Sequence, residues 1–271
     1  MYQTRYHRPS SIAEAVAIVR RAEDGKFLSG GMTLIPAMKT RLTAPSDLVD
    51  LRHVPGLSGI AISGREVVIG AATTHSEVAS HGELEALCPA ICHLAGLIGD
   101  PHVRHMGTIG GSVANNDPAA DYPAAMIALN ATIVTSEREI LAEDFFTGLF
   151  ETSLNDDEMV TAVRFTAPLD GAYVKFPNPA SRYALAGTFI ARSEPGIRVG
   201  VTGAGADGVF RSTEIEQALS ARFDVSGLDG VTVPSDGLMS DIHASAEYRA
   251  HLVVVMARRA MARLLDARRA A

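Results

Sequence analysis

The sequence predicts a mixed α+β chain. Residues 1–50 alternate short strand and helix signals, a hairpin pattern follows near residue 60, and strand candidates followed by a long apolar-striped helix close the chain.

The elements follow in order. Ser10-Ser11-Ile12-Ala13-Glu14 offers helix N-cap chemistry, and Ala15, Val16, Ile18 and Val19 supply an apolar face. Lys26-Phe27-Leu28-Ser29 reads as a short strand running into Gly30-Gly31. Thr33 is placed to cap a second helix, continued by residues 37–41. Pro36 falls in its first turn, where a missing N–H costs nothing. With Leu48-Val49-Asp50-Leu51 as a further strand, this stretch is a small β-α-β-α-β unit. Ile60-Ala61-Ile62 and Val67-Val68-Ile69-Gly70-Ala71 flank a Ser63-Gly64-Arg65-Glu66 turn as a hairpin. Helix is expected near residues 75–98 with an interruption at Cys88-Pro89. Residues 105–116 read as loop, residues 121–129 as helix, and residues 131–135 and 159–165 as strands. Pro168-Leu169-Asp170-Gly171 is turn-rich and marks a candidate domain boundary. Strands are expected at 172–176, 184–191 and 197–204. The terminal helix, from 245 to about 267, places Leu252, Val255, Met256, Ala260, Leu264 and Leu265 at helical spacing. It is expected to pack on its own sheet, with a partner-binding face as the alternative.

Composition narrows the function. A net charge of −7 provides no basic face for phosphate backbones, so nucleic acid is not an expected partner. No apolar run approaches the roughly 20 residues of a membrane span, and Met1-Tyr2-Gln3-Thr4-Arg5-Tyr6-His7 lacks a signal-peptide core. A soluble, cytoplasmic protein is the expectation. Cys88 and Cys92 are too few for a disulfide framework or an iron–sulfur site of this chain alone. Their spacing suits two buried thiols packed as apolar groups; a redox pair or half a metal site is the alternative.

Two glycine-rich segments carry the chemistry. Leu28-Ser29-Gly30-Gly31-Met32-Thr33-Leu34 lies between a strand and a helix, where glycines admit a bulky anion and successive N–H groups can hold phosphate. Gly107-Thr108-Ile109-Gly110-Gly111-Ser112, followed by Val113-Ala114-Asn115-Asn116-Asp117-Pro118-Ala119-Ala120-Asp121, sets glycines beside small hydroxyl and amide side chains. Neither is a Rossmann fingerprint or a P-loop, since no G-x-G-x-x-G opens a helix after a strand and no Gly-Lys-Ser/Thr occurs. Each alone fits a tight turn. As a pair they suggest two loops clamping one extended ligand.

Ser29-Gly30-Gly31-Met32-Thr33-Leu34-Ile35-Pro36 resembles the first FAD-diphosphate loop of the flavoprotein subunits of molybdenum hydroxylases. That family includes carbon monoxide dehydrogenase medium subunits and xanthine dehydrogenase FAD subunits. Thr108-Ile109-Gly110-Gly111-Ser112, with Asp121 downstream, is similar to the second FAD loop. Lys175-Phe176-Pro177-Asn178-Pro179-Ala180-Ser181-Arg182-Tyr183-Ala184 resembles the segment that sets an aromatic residue beside the isoalloxazine, and residues 245–252 resemble the start of the terminal helix.

The resemblance implies an FAD-binding domain of the vanillyl-alcohol-oxidase/PCMH type over residues 1–168, in subdomains of about 1–57 and 58–168. A C-terminal α/β domain with a three-stranded antiparallel sheet and helices would occupy 169–271. It implies Leu28, Ser29, Gly30, Gly31, Met32, Thr33, Leu34, Ile98, Gly99, Thr108, Ile109, Gly110, Gly111, Ser112, Asn115, Asp121, Lys175 and Tyr183 as cofactor-binding residues, with no catalytic side chain and no metal ligand. FAD would be held without a covalent link. A large partner subunit would carry the molybdenum cofactor, and a small one two 2Fe–2S clusters, in a dimer of heterotrimers that delivers electrons to an external acceptor. Two positions depart from the pattern: Met32 stands where a polar residue is common, and Arg182 where an acidic one is frequent. A cation there would favour reduced flavin. Asp100, His102, Arg104 and His105 form a polar cluster that either positions the second loop or holds a metal. Tyr183 has a sheet-packing alternative, and Asp121 is placed to cap the following helix. A stand-alone FAD oxidase or reductase, and a structural subunit with a decayed flavin site, are the rival readings.

Overall fold

The computed structural model describes residues 1–270. β1 (Arg5–His7), α1 (Ile12–Arg21), β2 (Gly25–Leu28), α2 (Leu34–Lys39) and β3 (Asp47–Asp50) form the expected β-α-β-α-β unit. Its strands are parallel in the order β1-β3-β2. The Ser11 hydroxyl accepts the Glu14 N–H, as the sequence signature requires. Ala15 and Val19 of α1 pack with Val49, Leu51, Val54, Leu57 and Met159.

The hairpin β4 (Ile60–Ser63) and β5 (Glu66–Gly70) opens the second unit. Residues 75–98 form α3 (His75–Ser80), α4 (Gly82–Leu87) and α5 (Pro89–Gly96). Beside the expected break at Cys88-Pro89, His81 ends α3 and caps α4 through its ring nitrogen. The loop expected at 105–116 is instead mostly helical. α6 (Pro101–Met106) starts on the Asp100 cap, and α7 (Ile109–Asn115) on the Thr108 cap. Glycine is tolerated inside α7 because a Cβ on Gly110 would lie 2.4 Å from that of Ala71. There the absent side chain permits close packing rather than a loop.

α8 (Tyr122–Ala128), β6 (Thr132–Thr135), β7 (Glu139–Leu141), α9 (Ala142–Phe145), β8 (Phe146–Gly148), β9 (Glu151–Thr152) and β10 (Val160–Thr166) follow. A five-stranded sheet runs β4-β5-β10-β6-β7, and β8-β9 is a separate hairpin.

β11 (Asp170–Pro177), β12 (Ala184–Arg192) and β13 (Ile197–Gly205) are the three expected C-terminal strands. A fourth, β14 (Gly208–Arg211), adds to the edge of β13. Its brevity and glycine start gave it no strand signal in the sequence. α10 (Thr213–Ala221), a 3-10 turn (Val225–Leu228) and α11 (Ala246–Ala270) complete the chain. Leu252, Val253, Ala257, Ala260, Met261 and Leu264 of α11 bury against this sheet, so the helix packs on its own sheet as expected.

The largest core joins β5, α5, α8 and β10 to Tyr173, Phe189 and Ala191 of the C-terminal sheet. Every residue of α8 is buried. A Cβ on Gly200 of β13 would lie 2.1 Å from the Ala124 carbonyl, so glycine lets strand and helix meet. Cys88 and Cys92 are free and buried in this core. Desolvation pushes their thiols up to about 11 and about 12, as fits thiols packed as apolar groups.

Candidate functional site

A cleft of about 1040 Å³ runs between the parallel sheet, the helices α6 and α7, and the β11–β12 connection. It lies just above the usual range for small-molecule sites, about 300–1,000 Å³. The sequence-predicted residues converge there: the first glycine loop, Ile98 and Gly99, most of the second loop, Ser112, Asn115, Asp121 and Tyr183 all line it.

The two loops do different work. Leu28 ends β2, and Gly31 takes a left-handed φ of 71°, which favours glycine. Among the described residues the backbone N–H groups of Gly30, Gly31, Met32 and Thr33 have no protein acceptor, and the Thr33 side chain makes no cap bond. This loop therefore presents consecutive free donors at the mouth of α2. In the second loop most of the donors are already used. Ile109 N–H reaches Thr73 O at 3.1 Å, Gly110 N–H reaches Ala71 O at 2.9 Å, and Gly111 N–H reaches Thr108 Oγ1 at 3.1 Å. Its contribution is a close wall with the side chains of Ser112 and Asn115. Ser29 Oγ and Thr108 Oγ1 pair at 2.9 Å and tie the loops together. A Cβ on Gly30 would lie 2.1 Å from the Met106 carbonyl, so this glycine serves loop-to-loop packing.

At the opposite end, Gly99 has a φ of 48°. Arg104 Nη1 donates to the Ile98 and Gly99 carbonyls at 2.9 and 3.2 Å, and Arg182 Nη1 donates to Gly99 O at 3.1 Å. Asp100 accepts the Val103 N–H, and His105 Nδ1 meets the Pro101 carbonyl at 2.7 Å. The polar cluster thus positions the loop. Among the described residues no group of His, Cys, Asp and Glu is arranged to hold a metal ion. Tyr183 is 45% exposed beside Arg182, on the cleft rather than in the sheet.

Two candidates are placed otherwise. Ile109 is fully buried in the main core. Lys175 is buried too and donates to Asp121 Oδ2 at 2.9 Å, so it stands behind the cleft wall. Asp121 makes no cap bond to α8, since its other oxygen accepts the Tyr173 hydroxyl. Burial raises the Asp121 carboxyl, opposed by the Lys175 ammonium.

The cleft also has walls that sequence reading missed. Thr147 and Phe150 of the β8–β9 hairpin line it, as do Asp156 and Met159. No motif marked them. His75, at the start of α3, is a further lining residue. It lies inside the Thr74-x-x-Glu77 capping-box pattern, a local signal that gives no information on which way the ring faces. Burial, with Arg104 nearby, lowers the His75 imidazole to about 4. The folded value lies below the ordinary 6.5, so the stability it confers is complete above pH 6.5 and lost as pH falls toward 4. Over that window the loss is roughly 3 kcal/mol. Urea denaturation at pH 7 and pH 4.5 should show this drop in the native chain and a smaller one in His75→Leu. Equal drops would exclude His75 as its source.

Residues 2–168 match the family described as the FAD binding domain in molybdopterin dehydrogenase. The chain belongs to this family. It is also 37% identical to the carbon monoxide dehydrogenase medium chain of Afipia carboxidovorans, over 95% of both chains. It is 32% identical to the nicotine 6-hydroxylase medium subunit of Paenarthrobacter nicotinovorans, over 94% of this chain and 95% of that one. A solved carbon monoxide dehydrogenase of Hydrogenophaga pseudoflava, lacking the Mo-pyranopterin moiety of its cofactor, superposes with a TM-score of 0.88. Identity there is 31%, with 97% of this chain and 98% of that chain covered. The α+β fold of a molybdopterin dehydrogenase flavoprotein subunit is thereby established, and with it the oxidoreductase class. FAD fits the site on its own terms. Free N–H donors at Gly30, Gly31, Met32 and Thr33 suit a diphosphate, and the same cleft is lined by Tyr183, an aromatic side chain suited to pack against a ring.

Proposed function

We propose that this chain is the electron-transfer subunit of a molybdenum hydroxylase, taking electrons from 2Fe–2S clusters of a small partner and passing them to an external acceptor. A large partner carrying the molybdenum cofactor would oxidise the organic substrate. The observation that carries this reading is the row of unpaired donors at residues 30–33 in a cleft that Tyr183 also lines. Bound FAD supplies the redox chemistry. The chain's own residues bind and orient it. The first loop would hold the diphosphate, Ser112 and Asn115 would offer hydrogen bonds to the ribityl chain, and Tyr183 and Ile98 would supply apolar contact to the ring. The Arg182 guanidinium, fixed on Gly99, sets the local charge. We also assign residues 1–168 to the FAD-binding domain, in subdomains of about 1–57 and 58–168, and 169–271 to a C-terminal domain. The extent of the family match supports that division. Among the described residues no helix is long and apolar enough to cross a membrane, and we infer a cytoplasmic location for the complex.

The test is the visible spectrum of the purified chain, with denaturation to release the flavin. Releasable FAD, or uptake of added FAD by a colourless preparation, agrees with the reading. A chain that takes up none overturns it. Arg182→Asp in the flavin-loaded protein should lower the measured reduction potential, and an unchanged potential would remove Arg182 from its control.

A further inference from the structure

His75 is a buried polar side chain of the cleft wall that the flavin assignment leaves without a task and, unlike the ion-paired Glu158, without a hydrogen-bond partner. It is 5% exposed, and no hydrogen bond satisfies either ring nitrogen. Nδ1 is sealed in the interior beside the Tyr122 ring, whose centroid lies 5.4 Å away. Nε2 is not sealed, and His75 lines the cleft. An unpartnered buried lone pair is less costly than an unpartnered buried N–H. The proton therefore belongs on Nε2, which makes the ring a neutral donor facing the cleft.

Its neighbours fix what it faces. The His75 backbone N–H donates to Gly107 O at 2.9 Å, and a Cβ on Gly107 would come within 2.7 Å of Nε2. The absent side chain lets the ring close on that turn. A Cβ on Gly30 would in turn lie 2.7 Å from the Gly107 Cα, so the imidazole sits one residue away from the free donors of the first loop. The charged and titratable groups on the elements packed against α3 are Glu83 and Glu85 of α4, Cys92 and His93 of α5, and His102, Arg104 and His105 of α6. None of them hydrogen-bonds the ring.

We propose that His75 Nε2 donates to a diphosphate oxygen of the bound dinucleotide, completing the donor row of residues 30–33 from the opposite wall. This rests on the flavin reading of the cleft. A donor to a charged oxygen contributes about tenfold or more in affinity. The experiment uses the full chain stripped of flavin, with dissociation constants for FAD and for ADP, which shares the diphosphate and lacks the ring. His75→Leu removes the donor, and His75→Gln keeps an N–H near the place of Nε2. Thermal melting verifies that each variant is folded. The expected result is at least tenfold weaker binding of both FAD and ADP by His75→Leu, with substantial recovery in His75→Gln. Unchanged affinities in a folded His75→Leu chain overturn the proposal. So does a loss for FAD alone, which would put the ring at the flavin end. A native chain that takes up neither ligand overturns the flavin reading instead.

Discussion

Gly30→Ala should separate the two glycine loops and strip the chain of its flavin. The added methyl would meet the Met106 carbonyl at 2.1 Å and the Gly107 Cα at 2.7 Å, both backbone atoms with no rotamer to yield. Overpacking of this kind costs about 3 kcal/mol at the upper end of its usual range. Relief requires the loops to move apart, which breaks the Ser29–Thr108 bond and widens the diphosphate seat. Flavin content per chain and the urea midpoint should therefore fall together. A Gly30→Ala chain with native flavin content would show that the loops need not touch. Gly31→Ala is the useful contrast, because its strain comes from a φ of 71° and close Leu28 and Ile35 side chains rather than from the other loop.

The second large effect lies behind the cleft wall. Asp121→Ala leaves the Lys175 ammonium, with 4% of its side chain exposed, without a counter-charge, and removes the acceptor of the Tyr173 hydroxyl. Breaking one side of a buried pair costs about 3–5 kcal/mol, whereas replacing both sides with apolar groups is often neutral. Asp121→Ala should lose that much in urea denaturation, and Asp121→Ala with Lys175→Met should regain most of it. A single variant within about 1 kcal/mol of the native chain would mean that the ammonium finds water.

Much of this architecture is written locally. Ser11 caps α1, Pro101 opens α6, and the strands at 172–176, 184–191 and 197–204 show as apolar runs bounded by turns. The glycine loops were legible as a pair, and they do meet. What they do physically was not legible, because the function of a glycine depends on what approaches it. Gly30 faces Met106 and Gly110 faces Ala71, both distant in sequence, while the run of consecutive free N–H groups belongs to the first loop. The same limit hid the true partners of Asp121. Tyr173 and Lys175 follow it by 52 and 54 residues, and only the β11 register turns both toward it. A capping role was the nearest local alternative, and tertiary contacts overrode it.

The buried helix α8 has a consequence for what counts as a unit of this protein. Arg198 Nε from β13 donates to Ile127 O at 3.1 Å, Thr202 Oγ1 donates to Ala120 O at 2.6 Å, and Gly200 rests on Ala124. One face of this helix belongs to the stretch shared with the family, the other to the sheet that follows it. A gene cut after codon 168 would follow the end of the family match yet leave one apolar face of this helix bare to water, a nucleus for aggregation rather than a portable module. Inheritance can shuffle only what folds alone, and α8 binds the two halves into one heritable piece.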